Sequence, residues 1–279
     1  DPVAGLTLTA YLIPAGIGDA SLAELPPEAG LYACLFSGLV FWLFCSSKHT
    51  VITVTSALSL LIGASVGELS AGDPARHAAL AASVALMVAV IAVTAWLVRA
   101  GTAVSFFSET VLVGFKGGLA LYLASTQLPK LFGFKGTSGD FWERSGYFFS
   151  PLGDTQQASL LVGAVALAVL VAGKLWLKHR PVAFFVVVLG MLAARFLDLE
   201  SHGVALLGAA PQGLPALGLP DIGRQELNAL LPIALAGFVL GAVETSAIGR
   251  MFGQKHGNRL DANQELLALG AANLVAGLG

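Results

Sequence analysis

Charged side chains are scarce in this sequence. Asp, Glu, Lys and Arg make up 11% of its 279 residues, whereas an ordinary soluble domain carries roughly 25%. Hydrophobic residues reach 56%. This composition excludes a soluble globular protein and indicates a chain that crosses a membrane several times.

Cysteine is also scarce, and basic charge is not concentrated anywhere. Cys34 and Cys45 lie in or at the end of one apolar run, so we expect small buried side chains, with neither a disulfide nor a metal site. The net charge is −2, and the 15 basic residues are scattered over short connections. Binding to nucleic acid is therefore not expected.

Apolar runs follow one another along the chain, eight complete and one partial. They cover residues 3–23, 30–45, 51–67, 77–100, 106–128, 158–177, 182–197, 229–250 and 264–279. A bilayer core of about 30 Å needs about 20 apolar residues per helix. The sequence therefore predicts an all-α polytopic membrane protein. The two sizeable polar stretches are residues 133–157 and 198–228, and we expect no separate soluble domain.

The third run is short and begins with β-branched residues. Residues 51–55 read Val-Ile-Thr-Val-Thr, which favours extended backbone before the chain turns helical at Ala57. Non-helical backbone at membrane depth is tolerated only where it is buried in protein or lines a cavity. The segment therefore indicates a binding site, the alternative being an irregular packed helix.

Ionisable residues within apolar runs are functional candidates, because placing one at mid-bilayer costs at least ~2.5 kcal/mol. Glu244 is followed by Thr245 and Ser246, which brings carboxylate and hydroxyl oxygens together. The carboxylate could carry a coupled proton or, when ionised, supply oxygen to sodium. The alternative is a structural carboxylate paired with a neighbouring helix, for example with Lys116.

Asp19 and Lys116 are the other two such residues. Asp19 lies near the outer end of the first run and has either a coupling role or simple contact with water. Lys116 lies between Gly114 and Gly117, where another helix can approach closely, and its stem either reaches an interface or attracts anions.

An intramembrane enzyme is not expected. Such an enzyme needs clustered metal ligands, or a nucleophile with a base, inside the membrane. The histidines instead lie at run ends or in connections: His49, His77, His179, His202 and His256.

Lys and Arg favour one side of the membrane. With the N-terminus inside, the inner connections hold eight basic residues and the outer ones six. This bias predicts a cytoplasmic N-terminus.

Several motifs, in order along nearly the whole chain, resemble one family. They are Ile13-Pro14, Leu22 to Tyr32 (LAELPPEAGLY), Ser46-Ser47-Lys48-His49, Gly114-Phe115, Gln127-Leu128-Pro129 with Gly133, His202-Gly203-Val204 with Gly208 and Pro211, Gly213-Leu214-Pro215, Glu244 with Gly249 to Phe252, Lys255-His256-Gly257, and Asp261 with Asn263 to Leu266, Leu269-Gly270 and Asn273. Together they are similar to the signatures of the SulP (sulfate permease) family of inorganic anion transporters, which also includes bicarbonate and chloride carriers.

The resemblance implies a fourteen-helix fold of two inverted seven-helix repeats, in which a core domain moves against a gate domain. Residues 1–100 (helices one to four) and 228–279 (helices eight and nine) would belong to the core, and residues 104–197 (helices five to seven) to the gate. The chain would hold about helices one to nine and no STAS domain.

The resemblance also implies where the substrate binds, namely between the facing N-termini of helices three and ten. Unpaired N–H groups and about half a positive charge at a helix N-terminus attract an anion without a basic side chain. By position, Thr55 falls where a helix-three hydroxyl contacts the anion, with Ser56 next to it. Ala15 stands where many members have glutamine, and Thr53-Val54 where many have Gly-Pro. Both departures lie at the implied site, so the resemblance does not determine which anion is the substrate.

The implied activity is secondary active transport of sulfate, bicarbonate or chloride by an elevator-type movement, coupled to protons or sodium. Glu244 falls on the helix-eight acid that is involved in coupling, with Thr245 beside it, and Asp19 is a further coupling candidate. No cofactor is expected besides the coupled ion. The expected partners are the anion, membrane lipid and a second copy in a homodimer, and the expected location is the plasma (inner) membrane. A nucleobase permease of the same fold and an anion channel are the alternatives.

Overall fold

The computed structural model shows the chain as a series of helices. It describes residues 2–47, 50–53, 55–104, 109–137, 141–177, 181–206, 213–215, 217–257 and 260–278. The helices are α1 (Pro2–Leu22), α2 (Pro27–Phe44), α3 (Ser56–Ser70), α4 (Pro74–Leu97), α5 (Gly101–Val104), α6 (Glu109–Leu131), α7 (Phe141–Phe148), α8 (Gln157–Trp176), α9 (Val182–Phe196), α10 (Arg224–His256) and α11 (Ala262–Ala276). The described residues contain no strand, so the all-α prediction is confirmed.

Local sequence explains where several helices begin and end. Asp73 caps α4 by accepting hydrogen bonds from the N–H groups of Ala75 and Arg76, and Pro74 occupies the first helical position, where a missing N–H costs nothing. Asp261 caps α11 in the same way. α10 ends at Gly257, whose φ of 69° lies in the left-handed region that glycine adopts without strain.

Most helices coincide with the predicted apolar runs, but their lengths differ. Four stretches of the described residues are long and apolar enough to cross a membrane: Pro27–Phe44, Pro74–Leu97, Gln157–Trp176 and Arg224–Arg250. This is fewer than the nine runs suggested, and three of the remaining helices, α3, α9 and α11, have only 15 residues each. In α3 the reason is that the first part of the run is not helical.

The chain divides into two compact units. The first comprises residues 1–14 and 113–210. Within it α8 packs against α9, where the Val182 side chain lies against Gly173. Phe132, Phe134 and Phe148 form an aromatic cluster.

The second unit comprises residues 15–112 and 211–279. Its interior is built from small and branched apolar side chains of α2, α3, α4, α10 and α11, in three adjoining clusters. These are Val66, Leu80, Val84, Val88, Leu230 and Ala234; Ala92, Ala242, Val243, Leu266 and Leu269; and Phe41, Ala268 and Ala272. Van der Waals contact of this kind is the main source of helix association in lipid. The assignment of residues 1–100 and 228–279 to a core domain and of 104–197 to a gate domain stays a prediction.

Glycines allow two close helix approaches in the second unit. A Cβ at Gly30 of α2 would overlap the carbonyl oxygen of Gly16 in α1, and a Cβ at Gly63 of α3 would overlap the carbonyl oxygen of Leu22. The second half of α1 is therefore in backbone contact with both α2 and α3, which fixes its position beside the start of α3.

Candidate functional site

The described residues ahead of α3 are not helical, and the last of them, Thr55, is extended, as the β-branched sequence predicts. Residues 50–53 are non-helical, and Thr55 has φ −125° and ψ 138°; Val54 lies outside the described residues. The Thr55 hydroxyl oxygen caps α3 by accepting from the N–H of Leu58 at 3.5 Å. The first N–H groups of α3 have no acceptor within the helix, so this end presents positive partial charge where extended backbone meets the helix.

The structure brings Asp19 together with Ser56. The Ser56 hydroxyl donates a 2.6 Å hydrogen bond to Oδ1 of Asp19, and the aspartate is only 7% exposed. Simple contact of Asp19 with water is therefore wrong as an alternative: its side chain is buried at the N-terminus of α3. Ala15 is half-buried one helical turn earlier, so it shares a face of α1 with Asp19.

Glu244 and Thr245 lie on α10, and both are half-buried. Val243, the residue before them, packs in the cluster against which Ile52 of the extended segment also packs. This part of α10 therefore lies in the same unit as α3 and beside the segment that leads to it. The side chain of Lys116, the proposed partner of Glu244, is outside the described part of the chain.

A further polar atom belongs to the same segment. Thr50 Oγ1 is buried and has no hydrogen-bond partner among the described residues. A buried hydroxyl without a partner is uncommon in proteins, and this one precedes the N-terminus of α3 by a few residues.

Sequence analysis missed one buried acid. Glu265, in the first turn of α11, is 2% exposed, and its Oε1 accepts from Ser46 N, Ser46 Oγ and Ser47 N at 2.8, 2.7 and 3.0 Å. Glu265 is the second residue of the predicted run 264–279, and an acidic residue in the first turn of a helix is common, so it was not selected as a functional candidate. The available signal was that Ser46-Ser47 and Asn263 to Leu266 both belong to the quoted motifs.

His77 is a second polar residue whose burial the sequence did not reveal. It is 4% exposed, and its Nε2 lies 2.7 Å from the carbonyl oxygen of Ala23. This contact joins the beginning of α4 to the turn that follows α1, so it stabilises the same corner of the second unit that contains Asp19.

Comparison with known proteins decides the family. The model of the sulfate permease family matches residues 1–279. The chain belongs to this family. The resemblance deduced from the motifs is thus confirmed, and the family together with the apolar helices identifies an integral membrane protein.

A sulfate permease relative in Mycobacterium tuberculosis (strain CDC 1551 / Oshkosh), a probable sulfate transporter, is 32% identical over 278 residues, which cover 100% of this chain and 50% of that protein. The chain thus spans about half the length of the curated relatives it matches.

Two solved structures share the fold. One is murine Solute Carrier 26 family member A9, an anion transporter, in the inward-facing state, with a TM-score of 0.91 and 22% identity over 99% of this chain and 49% of that one. The other is the transmembrane domain of a cyanobacterium bicarbonate transporter, BicA, with a TM-score of 0.85 and 21% identity over 98% of this chain and 70% of that one. At these identities the likeness shows the fold, and the chain supplies part of that transporter fold.

Proposed function

We propose that the protein containing this chain is a secondary active transporter of a small inorganic anion, and that the N-terminus of α3 forms one half of the anion site. The observation that carries the proposal is the non-helical backbone of residues 50–53 and the extended Thr55, which caps α3. In a sulfate permease, broken backbone of this kind belongs where it lines a cavity.

Anion binding at this end of α3 follows from elementary electrostatics. The first N–H groups of the helix point toward the incoming ligand, and the helix dipole favours negative charge there. The Thr55 and Ser56 hydroxyls stand beside these groups and can donate to the oxygens of sulfate or bicarbonate, or to chloride. Ala15, on the face of α1 that also bears Asp19, leaves room where a larger side chain would narrow the site.

Asp19 gives this site a means of coupling. An ionised Asp19 holds the Ser56 hydroxyl proton and repels a second negative charge. When Asp19 gains a proton, the repulsion falls and the Ser56 hydroxyl is free to donate to the anion. Proton and anion would then bind together, as symport requires.

Glu244 is the second coupling group in the proposal, with Thr245 supplying a neighbouring hydroxyl oxygen. A half-buried carboxylate on α10 can carry a proton or, when ionised, coordinate sodium. The elevator-type movement of core against gate, the homodimer, the plasma membrane location and the cytoplasmic N-terminus belong to the same proposal and rest on family membership.

Uptake by proteoliposomes tests the proposal. The full-length protein would be reconstituted as wild type, Glu244→Gln and the control Glu200→Gln, which alters an exposed carboxylate. Labelled sulfate, bicarbonate and chloride would be offered under imposed proton or sodium gradients. We expect the wild type and the control to accumulate at least one anion, and Glu244→Gln to lose gradient-driven accumulation while it retains exchange.

Two results would overturn parts of this account. If the wild type moves none of the three anions, anion transport is wrong, and nucleobase uptake becomes the next measurement. If flux rises linearly with driving force and does not saturate, the protein is an anion channel rather than a carrier.

A further inference from the structure

Glu265 links two segments that are far apart in sequence. Its Oε1 receives both donors of Ser46 and the backbone N–H of Ser47. Next to it, Gln264 donates from Nε2 to the carbonyl oxygen of Phe44 at 2.7 Å. The first turn of α11 therefore binds the last carbonyl of α2 and the two serines that follow it; we call these four residues, Gln264, Glu265, Ser46 and Ser47, the linker clasp.

The linker clasp holds the beginning of the chain segment that ends at α3. This segment runs from Ser46 to Thr55, and of its residues the structure describes 46, 47, 50–53 and 55. These described residues are not helical, so among them there is no ladder of backbone hydrogen bonds to fix the course of the chain. Its second attachment is Ile52, which packs against the clusters containing Phe41 and Leu269.

The attachments have a direct consequence for the other end of the segment. Thr55 caps α3, and Ser56 is the first helical residue and the partner of Asp19. Because the segment is held at Ser46 and Ser47 by hydrogen bonds and at Ile52 by packing, the positions of Thr55 and Ser56 at the N-terminus of α3 are restrained. Without the bonds to Glu265, the attachments left among the described residues on the α2 side are the packing of Ile52 and the weaker hydrogen bonds of Ser46 with Asp261 and of the Ser47 carbonyl with Cys45.

A carboxylate suits this task for a physical reason. Hydrogen bonds to an ionised acceptor are stronger than those between neutral groups. Glu265 is almost fully buried, and a hydrogen bond in the interior of a protein is electrostatically stronger than one in water. The negative charge also lies in the first turn of α11, where the helix dipole favours it.

We propose that Glu265 is a positioning residue for the anion site: by binding Ser46 and Ser47 it fixes the segment that presents Thr55 and Ser56 at the N-terminus of α3. This inference rests on the proposed function, since it assumes that the anion binds at that end of α3. In this inference Glu265 acts on the site through the segment and not by contact with the anion.

The test compares Glu265→Ala and Glu265→Gln with wild type in the full-length protein. Leu230→Ala is the matched control, because Leu230 is fully buried in the cluster of α3, α4 and α10 and its loss weakens packing without touching the linker clasp. Two kinds of measurement are made: amide hydrogen exchange of peptides that cover residues 45–56, and KM and Vmax for uptake of sulfate, bicarbonate and chloride, each measured separately.

We expect Glu265→Ala to speed exchange at Ser46 and Ser47 and to raise KM, each by about tenfold or more, because strong hydrogen bonds to a buried carboxylate are lost. Vmax should change much less. Glu265→Gln should lie between Glu265→Ala and wild type, since its carboxamide oxygen still accepts, and it replaces Glu265→Ala if that variant fails to fold. Leu230→Ala should lower the melting temperature and leave both exchange at 45–56 and KM close to wild type.

Three results would overturn the inference. Unchanged exchange at 45–56 would show that Glu265 does not hold the segment. Faster exchange with an unchanged KM would show that the segment is held but does not position the site. Equal rises in KM for Glu265→Ala and Leu230→Ala would show a merely structural role. A wild type that takes up none of sulfate, bicarbonate and chloride contradicts the proposed function itself, and the positioning role falls with it. This outcome is distinguished from the other three because it is seen in the wild type, without any variant.

Discussion

The hydroxyl of Ser56, the first residue of α3, donates to a carboxylate oxygen of Asp19 in α1 at 2.6 Å. An acid that is 7% exposed therefore lies beside helix N–H groups that have no acceptor within the helix. The two residues are 37 positions apart in the sequence, and they meet because α1 approaches α3 closely near Gly63.

Removing the Ser56 hydroxyl should weaken anion binding. Ser56→Ala deletes one donor at the N-terminus of α3, and we expect KM for the transported anion to rise by about tenfold. Ser83→Ala is the control, because it also deletes one serine hydroxyl of the second unit, and among the described residues that hydroxyl donates to the carbonyl of Ala79 within its own helix. Equal KM values for the two variants would contradict a role of Ser56 in the site.

Asp19→Asn should uncouple uptake from the proton gradient. The carboxamide oxygen can still accept from Ser56, so the variant should fold, but it can no longer gain and lose a proton. Anion exchange should persist while gradient-driven accumulation falls to the level seen without a gradient. Accumulation that still follows the proton gradient in Asp19→Asn would exclude Asp19 as a coupling group.

A side chain at Gly63 should disrupt the contact between α1 and α3. The Cβ of Gly63→Ala would overlap the carbonyl oxygen of Leu22, whereas a Cβ at Gly18 in α1 would meet nothing within 4 Å. We expect Gly63→Ala to lose about 1–3 kcal/mol of stability through overpacking and Gly18→Ala to change it little. Thermal unfolding in detergent measures both, and similar melting temperatures would show that the approach is not tight.

His77 should contribute to stability mainly through the buried hydrogen bond of its Nε2, the shorter of its two polar contacts, since Nδ1 lies 3.4 Å from Ser70 Oγ. His77→Ala leaves the carbonyl oxygen of Ala23 without its donor, which costs about 1–3 kcal/mol. The control is His202→Ala, because His202 lies on an exposed turn. The same thermal unfolding measurement applies, and a melting temperature of His77→Ala at or above that of the control would refute the contribution.

Cys45 should react slowly with thiol reagents and should report on Glu265. Burial, and then the negative charge of Glu265, raise the pKa of the Cys45 thiol above its ordinary value. Less of the reactive thiolate is therefore present at a given pH. In a Cys34→Ser background, Glu265→Gln removes the charge, so the midpoint of the pH–rate profile for maleimide labelling should move to lower pH. A midpoint that stays the same or rises would contradict the proximity.

Most of the long helices were predictable because each follows from a local pattern, whereas the short α7 lies in the stretch 133–157 that the sequence marked only as polar. Runs such as 77–100 and 158–177 contain too many consecutive apolar residues for anything but a helix in lipid. The absence of helix at residues 51–53 was predictable for the same reason, since β-branched side chains favour extended backbone. The length of α10 was not, because its polar ends, near Arg224 and His256, lie beyond the predicted run 229–250.

The polar contacts of the site were less accessible to sequence analysis. Asp19 could be selected because a charged side chain in an apolar run costs free energy. Its contact with Ser56 could not be predicted, because it depends on how α1 and α3 cross. Glu265 did not stand out at all, since its meaning comes from Ser46, 219 residues away in the sequence. Local patterns thus predict elements, whereas buried charge is explained only by the residues that the fold brings to it.

The central claim is that the anion binds at the N-terminus of α3, and anomalous diffraction tests it most directly. Crystals of the full-length protein would be grown with selenate in place of sulfate, and in a second experiment with bromide in place of chloride. The account predicts an anomalous peak within hydrogen-bonding reach of the first N–H groups of α3 and of the Ser56 hydroxyl, lost in Ser56→Ala at the same concentration. A peak elsewhere in the protein, with this end of α3 empty, would contradict it.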